Sequence, residues 1–424
     1  MFNERFKTIR QASGKTQKEL ADFLNISPQS VSKWEKGEAL PSIEYLPLMA
    51  RFFGCSINVF FEEVYENTLP DKMDEQIKIS GDISDIKNKI TSAFAQLKLN
   101  VEIVKVYEGI RVVTFTCAVS GKTKIKHVFN KSKEIYNIVD EKICMRCNGE
   151  ENNAFVIEFA KKRFDEAPLT SALESKEYKE STAEIPIIIG YDTNDNLLID
   201  DLASSRHILV GGGVRSGKTA FLKNVLTCLT SKFTKDEIGL VISDAKKRDL
   251  LYANEYPHLI GRVLTEIDET EIAFKCLAEE MESRYSALEA FGVPNIAKYN
   301  FVSQNKMKRI VIVIDELIDL LVYSDKIYKI LANLSMKGGA VGIHLIMAIN
   351  QAHGKLESIR INIPTFVTFF TEKTSDISIM MGMNEGHWLS GCGDLLYCNS
   401  EHWFTRAQAP SIDAQESLKL VKAQ

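Results

Sequence analysis

The chain has 424 residues, 45% of them hydrophobic and 26% charged, with a formal net charge of −5. That length exceeds one ordinary core, so two or three domains are expected, and the composition is that of a soluble globular protein. The charge excludes a wholly basic nucleic-acid binder but leaves room for one local binding face. No stretch approaches the roughly 18 uncharged apolar residues of a membrane span, and the charged N-terminus lacks a signal-peptide apolar core.

Residues 1–65 read as an all-helical unit. Phe2, Phe6 and Ile9 form an amphipathic series that stops at Ser13-Gly14. Thr16 then caps a helix, with Glu19 completing a capping box. Leu20, Ala21, Phe23 and Leu24 form its apolar face. Ser27-Pro28 opens the next helix with an N-cap and a first-position proline. That helix turns Val31 and Trp34 inward and Gln29, Ser30, Ser32 and Lys33 outward. Leu40-Pro41-Ser42 starts a fourth, carrying Leu46, Leu48, Met49 and Phe52.

The run TQKELADFLNISPQSVSKWEKGEALPS is similar to the lambda-repressor/Cro-like helix-turn-helix family. In that family the second helix of the pair enters the major groove while the amino end of the first touches phosphate. The resemblance therefore implies that Gln29, Ser30 and Lys33 face base edges and that Gln17 bonds a phosphate. A helical bundle used only for protein contacts is the competing reading.

Residues 66–82 are acidic and broken by proline, which predicts a linker. Residues 83–165 alternate helix and strand: a helix over 86–97, strands over 101–106 and 110–117, a helical segment near 134–139 and a strand over 154–159. This is a small α/β domain. Its lysines (Lys122, Lys124, Lys126, Lys131, Lys133) suit a solvated face better than a nucleic-acid contact. The eight cysteines are scattered, and Cys144-Met145-Arg146-Cys147 is the one close pair. With no second pair or histidine cluster it is not a metal site, and the cysteines read as apolar fillers in a reducing cytoplasm. Residues 166–184 read as a second charged linker.

The final domain, 185–424, holds the chemistry. His207 to Leu226 is an apolar strand, then Gly212-Gly213-Val214-Arg215-Ser216-Gly217-Lys218-Thr219, then a helix pattern: G-x-x-x-x-G-K-[ST] in the setting it requires. Glycines let several backbone N–H groups point at one anion, and the helix adds its positive end. Lys218 is expected to reach the β/γ-phosphates of ATP and Thr219 to hold Mg²⁺. The run Arg309–Ile314 is too apolar for an exposed strand and ends in Asp315-Glu316, at the carboxyl edge where open α/β sheets place their chemistry. Asp315 is the expected Mg²⁺-side carboxylate and Glu316 the group that orients and deprotonates the attacking water. Further strands over 238–244, 343–349 and 365–370 predict a mostly parallel sheet, with Asn350 at the end of one of them.

From Ile185 to Tyr397 the chain resembles the FtsK/SpoIIIE family of DNA-translocating ATPases. The segments carrying the likeness include SDAKKRDL, YPHLIGRVLTE, VIVIDELIDLL, GGAVGIHLIMAIN and GCGDLLY. Most specific is EEMESRYSALEAFGVPNIAKYN. The α/β unit before it looks like the small domain that precedes the motor in that family. The resemblance implies a RecA-like P-loop NTPase core, a homo-oligomer in the form of a hexameric ring, a nucleotide sensor at Asn350, and ATP-driven movement on double-stranded DNA. Family members commonly carry a membrane-spanning amino-terminal part and a carboxyl-terminal winged helix; neither pattern is found here, so recognition is expected to fall to the helix-turn-helix. Three positions where the family favours arginine hold Gly339, Gln351 and Asp376, which points to slow or uncoupled hydrolysis. Two functions follow from these features. One is a motor on plasmid or integrative-element DNA, working with transfer or segregation partner proteins. The other is a transcriptional regulator whose ATPase domain controls oligomerisation.

Overall fold

The computed structural model describes residues 2–13, 15–24, 26–41, 45–53, 81–147, 153–161, 163–164, 167–351, 353–371, 389–399 and 404–422. The proposed linker 66–82 therefore lies almost entirely outside the described residues, as does Asp376. The chain divides into two compact units, one of Met1–Lys162 with Ser400–Phe404, the other of Arg163–Asn399 with Thr405–Gln424.

The first unit begins with four helices: α1 (Phe2–Ala12), α2 (Gln17–Leu24), α3 (Pro28–Lys36) and α4 (Tyr45–Phe53). Their apolar faces meet in a core of Phe6, Leu20, Ala21, Leu24, Val31, Trp34, Met49 and Ala50. The local chemistry sets the boundaries. Thr16 N–H donates to Glu19 Oε2 (2.7 Å) while Glu19 N–H donates to Thr16 Oγ1 (3.1 Å), a reciprocal capping box that opens α2. Ser27 caps α3, and Gly37 ends it at φ 73°, a left-handed value that glycine adopts at little cost.

The same unit continues with α5 (Gly81–Gln96), β1 (Val101–Glu108), β2 (Val112–Val119), α6 (Ile125–Asn130), α7 (Ser132–Val139), β3 (Ile143–Cys147) and β4 (Ala154–Ala160). The strands form one antiparallel sheet in the order β1-β2-β4-β3. A bulge between Ile103 and Lys105 lets β1 leave Val104 exposed without turning its apolar face outward. Ile86, Ile90 and Phe94 of α5 and Ile135 and Val139 of α7 bury against Val113, Phe115, Phe155 and Ile157 of the sheet.

The second unit starts earlier than expected. Residues 166–184, anticipated as a linker, contain α8 (Leu169–Glu174) and α9 (Lys176–Lys179). Leu169, Ala172 and Tyr178 are buried with Ile188, Cys228 and Ile412, and the Tyr178 hydroxyl donates to the Cys228 carbonyl at 3.3 Å. The segment is polar on one side only; its few apolar residues fall where two short helical turns can bury them.

From there the elements are β5 (Pro186–Asp192), β6 (Leu197–Asp201), α10 (Leu202–Ser205), β7 (His207–Gly211), α11 (Lys218–Lys232), β8 (Ile238–Asp244), α12 (Ile267–Phe291), α13 (Ile296–Val302), β9 (Arg309–Asp315), α14 (Leu317–Tyr323), α15 (Asp325–Lys337), β10 (Ile343–Ile349), α16 (Leu356–Arg360), β11 (Thr365–Phe369), β12 (Asp394–Cys398) and β13 (Thr405–Gln408), followed by a helix over Ala414–Lys422. They build a nine-stranded sheet in the order β6-β5-β13-β12-β11-β7-β10-β9-β8. The stretch from β11 to β8 is parallel; β12, β13, β5 and β6 extend it antiparallel. The expectation of a mostly parallel sheet is thus corrected to a mixed one. The outer pair of this antiparallel wing, β5 and β6, comes from IPIIIGYD and NLLID, two apolar runs flanking a turn in which Asp192 Oδ1 accepts from the N–H groups of Asn194 and Asn196.

Strands β8, β9 and β10 are buried at every residue, as strands covered on both faces must be. The segment Glu280–Tyr285 serves this core. Arg284, 5% exposed, donates to the Val341 carbonyl (2.9 Å) just before β10, and the Tyr285 hydroxyl donates to the Lys337 carbonyl (2.8 Å). The wing has its own clamp, a buried pair in which Arg406 donates to both oxygens of Asp394 at 2.9 and 2.7 Å.

Burial of Tyr178 predicts that Tyr178→Ala destabilises the second unit by about 3 kcal/mol in urea unfolding, the usual cost of a large-to-small core change. A change near zero would return 166–184 to the status of a linker.

Candidate active site

The phosphate-loop sequence leaves β7 at Gly211 and enters α11 at Lys218. Gly212 has φ 152° and Gly217 φ 126°, values that side chains rarely permit. A Cβ on Gly212 would lie 2.7 Å from Ser216 Oγ and 2.8 Å from Phe369 Cβ; one on Gly217 would lie 3.1 Å from Gly393 N and from the Phe369 ring. Phe369 in turn packs edge-on against Phe221 of α11, with ring centroids 5.9 Å apart, so the loop rests on a rigid aromatic floor. Val214 and Arg215 are exposed, Gly213 and Thr219 half-buried, and Ser216 buried.

Lys218 is 7% exposed, and its ammonium sits within the loop, donating to the carbonyls of Gly212 (2.7 Å) and Gly213 (2.8 Å). Burial pushes its pKa down; Glu316 and Asp315 act in the opposite sense, and the nearby Lys246 adds to the depression.

The acids arrive from β9, whose neighbours β8 and β10 align in register with it: Asp244 lies beside Asp315, and Met347 beside Ile314. On its other side β10 aligns Ile349 with Gly211. The strand that ends at Asn350 is therefore inserted between the phosphate-loop strand and the acid-bearing strand. Asp315 and Glu316 are 3% and 2% exposed. Burial pushes the Asp315 carboxyl up to about 6; Lys246 opposes that shift, while Asp244 and Glu316 add to it. Glu316 adopts φ 76° at the head of α14, and its Oε2 accepts from Lys246 Nζ at 2.7 Å. Asp244 acts on the backbone instead. Its Oδ2 accepts from the N–H groups of Arg248, Asp249 and Leu250 at 3.0–3.1 Å, fixing the loop that carries Lys246.

Five side-chain oxygens at this edge, Ser216 Oγ, Asp244 Oδ1, Asp315 Oδ2, Glu316 Oε1 and Asn350 Oδ1, are buried without a hydrogen-bond partner. Such groups cost about 1–3 kcal/mol each when nothing meets them, so a cluster at one sheet edge marks a place built for something the chain does not supply. Oxygen donors suit a hard divalent cation, and a glycine cradle with an ammonium inside it suits phosphate. The residues fit Mg²⁺ and a nucleotide.

Sequence reasoning missed Lys246. The signal was in SDAKKRDL, three cations directly after a strand that ends in an acid. The arginine-depleted positions also have a structural account. A Cβ at Gly339 would meet Arg206 Cγ at 2.9 Å, so Arg206 already fills the space beside it. Gln351 is exposed.

In the helical part of the first unit, Gln29 and Lys33 are exposed one turn apart on α3. Ser30 is half-buried and its hydroxyl lies 3.0 Å from that of Ser27. Gln17 is already engaged: its Nε2 donates to Glu35 Oε2 at 2.7 Å, and Arg10 pairs with the same carboxylate. Burial alone would raise the pKa of Glu35, but the bonds from Arg10 and Gln17 outweigh it and hold the group below the usual carboxylate range.

Among the described residues, no helix is long and apolar enough to cross a membrane and no cluster of His, Cys, Asp and Glu could hold a metal ion by itself.

Comparison with known proteins matches residues 168–306 to the FtsK/SpoIIIE family and residues 6–60 to a helix-turn-helix family. The chain is 26% identical over 378 residues to the DNA translocase FtsK of Rickettsia prowazekii (strain Madrid E), covering 80% of this chain and 51% of that protein. It is 27% identical over 344 residues to the DNA translocase FtsK of Clostridium tetani (strain Massachusetts / E88), covering 79% and 46%. It spans about half the length of these curated relatives. Among solved structures, the pCW3 conjugation coupling protein TcpA, in monomer form with ATPγS, superposes with a TM-score of 0.56 at 21% identity, covering 80% of this chain and 99% of that one. ATPases 2 and 3 of EssC from Geobacillus thermodenitrificans give 0.51 at 21% identity, covering 57% and 48%. At 21% identity these two likenesses are likenesses of fold.

The raised pKa of Asp315 has a consequence for stability. Below an ordinary value of 3.8 the carboxyl is neutral folded or unfolded; as pH rises through about 6 the folded protein must ionise it in a buried setting, and stability is lost. Asp315→Asn is therefore expected to stabilise the nucleotide-free protein at pH 8 by about 2–3 kcal/mol, with the gain shrinking toward pH 4. Urea unfolding across that range measures it; a variant no more stable than wild type at pH 8 contradicts the account.

Proposed function

From a chain that carries an FtsK/SpoIIIE-family domain and an N-terminal helix-turn-helix domain, we propose an ATP-hydrolysing motor that acts on double-stranded DNA. The helix-turn-helix loads it at a chosen site, and its substrate is plasmid or integrative-element DNA during transfer or segregation. One observation carries this reading: Lys218 and the acids Asp315 and Glu316, each less than a tenth exposed, sit at the ends of two strands separated by one strand of the same sheet, beside buried oxygens that no protein group satisfies.

The roles follow from position. Backbone N–H groups of Gly212–Thr219 and the Lys218 ammonium hold the β/γ-phosphates of ATP and stabilise the charge that develops on them. Thr219 and Asp315 would hold Mg²⁺, which would supply positive charge against the phosphates. Glu316 orients a water and takes its proton. Asn350, between the two catalytic strands, senses the γ-phosphate. Arg215, exposed on the loop, is the nearby cation that can stand in for arginines the family places elsewhere. On DNA, Gln29 and Lys33 read base edges, whereas Gln17 and Ser30 join the surface with atoms already committed inside the domain. The working form is a homo-oligomeric ring in the cytoplasm, serving transfer or segregation partner proteins.

ATP hydrolysis by wild type is expected to rise with duplex DNA and to fall to background in Lys218→Ala and Glu316→Gln. Hydrolysis indifferent to Lys218→Ala would place the chemistry elsewhere. Gln29→Ala and Lys33→Ala are expected to weaken binding to the chosen duplex by about 1–3 kcal/mol each without affecting hydrolysis in the absence of DNA. Unchanged DNA affinity in both would leave the helix-turn-helix as a protein-binding module.

A further inference from the structure

The Lys246 side chain is 44% exposed, yet its ammonium reaches a carboxylate that is 2% exposed, at 2.7 Å. Nothing about its loop is loose. Asp244, fully buried at the end of β8, gathers three successive N–H groups of the following turn on one oxygen, which fixes the path of residues 245–250. The contact has a definite sidedness. Glu316 Oε2 is taken by Lys246, while Glu316 Oε1 is buried with no partner. Glu316 itself sits at φ 76°, a left-handed value that a non-glycine residue holds only under constraint from its surroundings.

We infer that Lys246 is a positioning residue for Glu316: by fixing Oε2 it selects Oε1 as the oxygen presented to the attacking water and holds the residue in its left-handed conformation. The inference rests on the proposed ATP hydrolysis and adds a residue to it. A buried carboxylate that accepts a charge-assisted bond on one oxygen cannot rotate freely about its terminal torsion, so one lone pair is aimed before substrate arrives. Without the ammonium the carboxylate would sample both edges, and the water would be held in the productive geometry for a smaller fraction of the time. The contact that Lys246 makes is to Glu316 Oε2, the oxygen turned away from the unpartnered Oε1. Its contribution is to the orientation of the base, so it should act on the chemical step and leave nucleotide affinity alone.

The test uses the full-length protein with Lys246→Met, Lys246→Arg, Glu316→Gln and the double variant Lys246→Met/Glu316→Gln. Steady-state hydrolysis is expected to show kcat reduced about 10- to 100-fold in Lys246→Met, with KM for ATP and the affinity for a fluorescent ATP analogue within about twofold of wild type. Lys246→Arg should recover most of the lost kcat. The double variant should stay at the background already reached by Glu316→Gln, so the coupling of the two residues is read in stability and not in rate. Thermal unfolding of wild type, Lys246→Met, Glu316→Gln and the double variant without nucleotide reads the contact itself: the melting shifts of the two single changes should be strongly non-additive. Wild-type kcat in Lys246→Met, equal loss of kcat and nucleotide affinity, or no recovery with arginine would each overturn the inference. So would additive melting shifts, which decide the matter even if wild type hydrolyses no ATP. Absence of hydrolysis in the wild type, by contrast, is a failure of the proposed function and is distinguishable on that ground.

Discussion

The structure depends on holding opposite charges out of water at one edge of the central sheet. Lys218, Asp315 and Glu316 are each less than a tenth exposed, and desolvation pulls lysine and aspartate in opposite directions: the ammonium is made easier to deprotonate and the carboxyl harder to ionise. Neither group finds its full complement within the chain. Lys218 settles on two loop carbonyls, and Asp315 keeps one oxygen without a partner. A protein evolving for stability alone would replace such groups with apolar ones. Retaining them makes sense when a phosphate chain and a divalent cation complete the set, because the desolvation is then offset by charge that arrives with the ligand.

The order of the parallel strands makes this arrangement possible. Inserting β10 between β7 and β9 sets the phosphate cradle and the acid pair one strand apart. The same strand brings Asn350 to the gap. Below the edge, Phe369 and Phe221 lock the loop from beneath. The wing of β12, β13, β5 and β6 serves it less directly: the turn before β12 brings Gly393 N–H to the Ser216 carbonyl at 3.3 Å, and the buried Asp394–Arg406 pair holds that turn in place.

Much of this was legible from residue order alone because the chemistry constrains local sequence tightly. Only glycine tolerates the backbone at 212 and 217, and only a lysine at 218 reaches back into the loop. A β-branched run ending in Asp315-Glu316 has few other readings. The helix-turn-helix was visible for the same reason, with Thr16, Ser27 and Pro28 marking helix starts. What stayed hidden depends on partners distant in the chain. Residues 166–184 look like a linker because most of their side chains are polar or charged, and only Leu169, Ala172 and Tyr178, set against a core supplied by later elements, reveal two buried turns. Lys246 looks like one cation among several until β8 and β9 come into register and bring it to Glu316. Gln17 looks free to meet a phosphate until α3 folds back and presents Glu35. The deciding contact lies 18 positions away for Gln17, 50 for Tyr178 and 70 for Lys246.

The central claim is that the buried charges at 218, 315 and 316 form a site for a magnesium–nucleotide complex. Thermal unfolding of the full-length chain, alone, with Mg²⁺ alone, and with Mg²⁺ and a slowly hydrolysed ATP analogue, tests it most directly. At an analogue concentration 100 times its dissociation constant, linkage predicts about 2.7 kcal/mol of added stability, present only when metal and nucleotide are supplied together. A melting temperature that does not move with the complex would contradict the claim, and the catalytic roles of Lys218, Asp315 and Glu316 would fall with it.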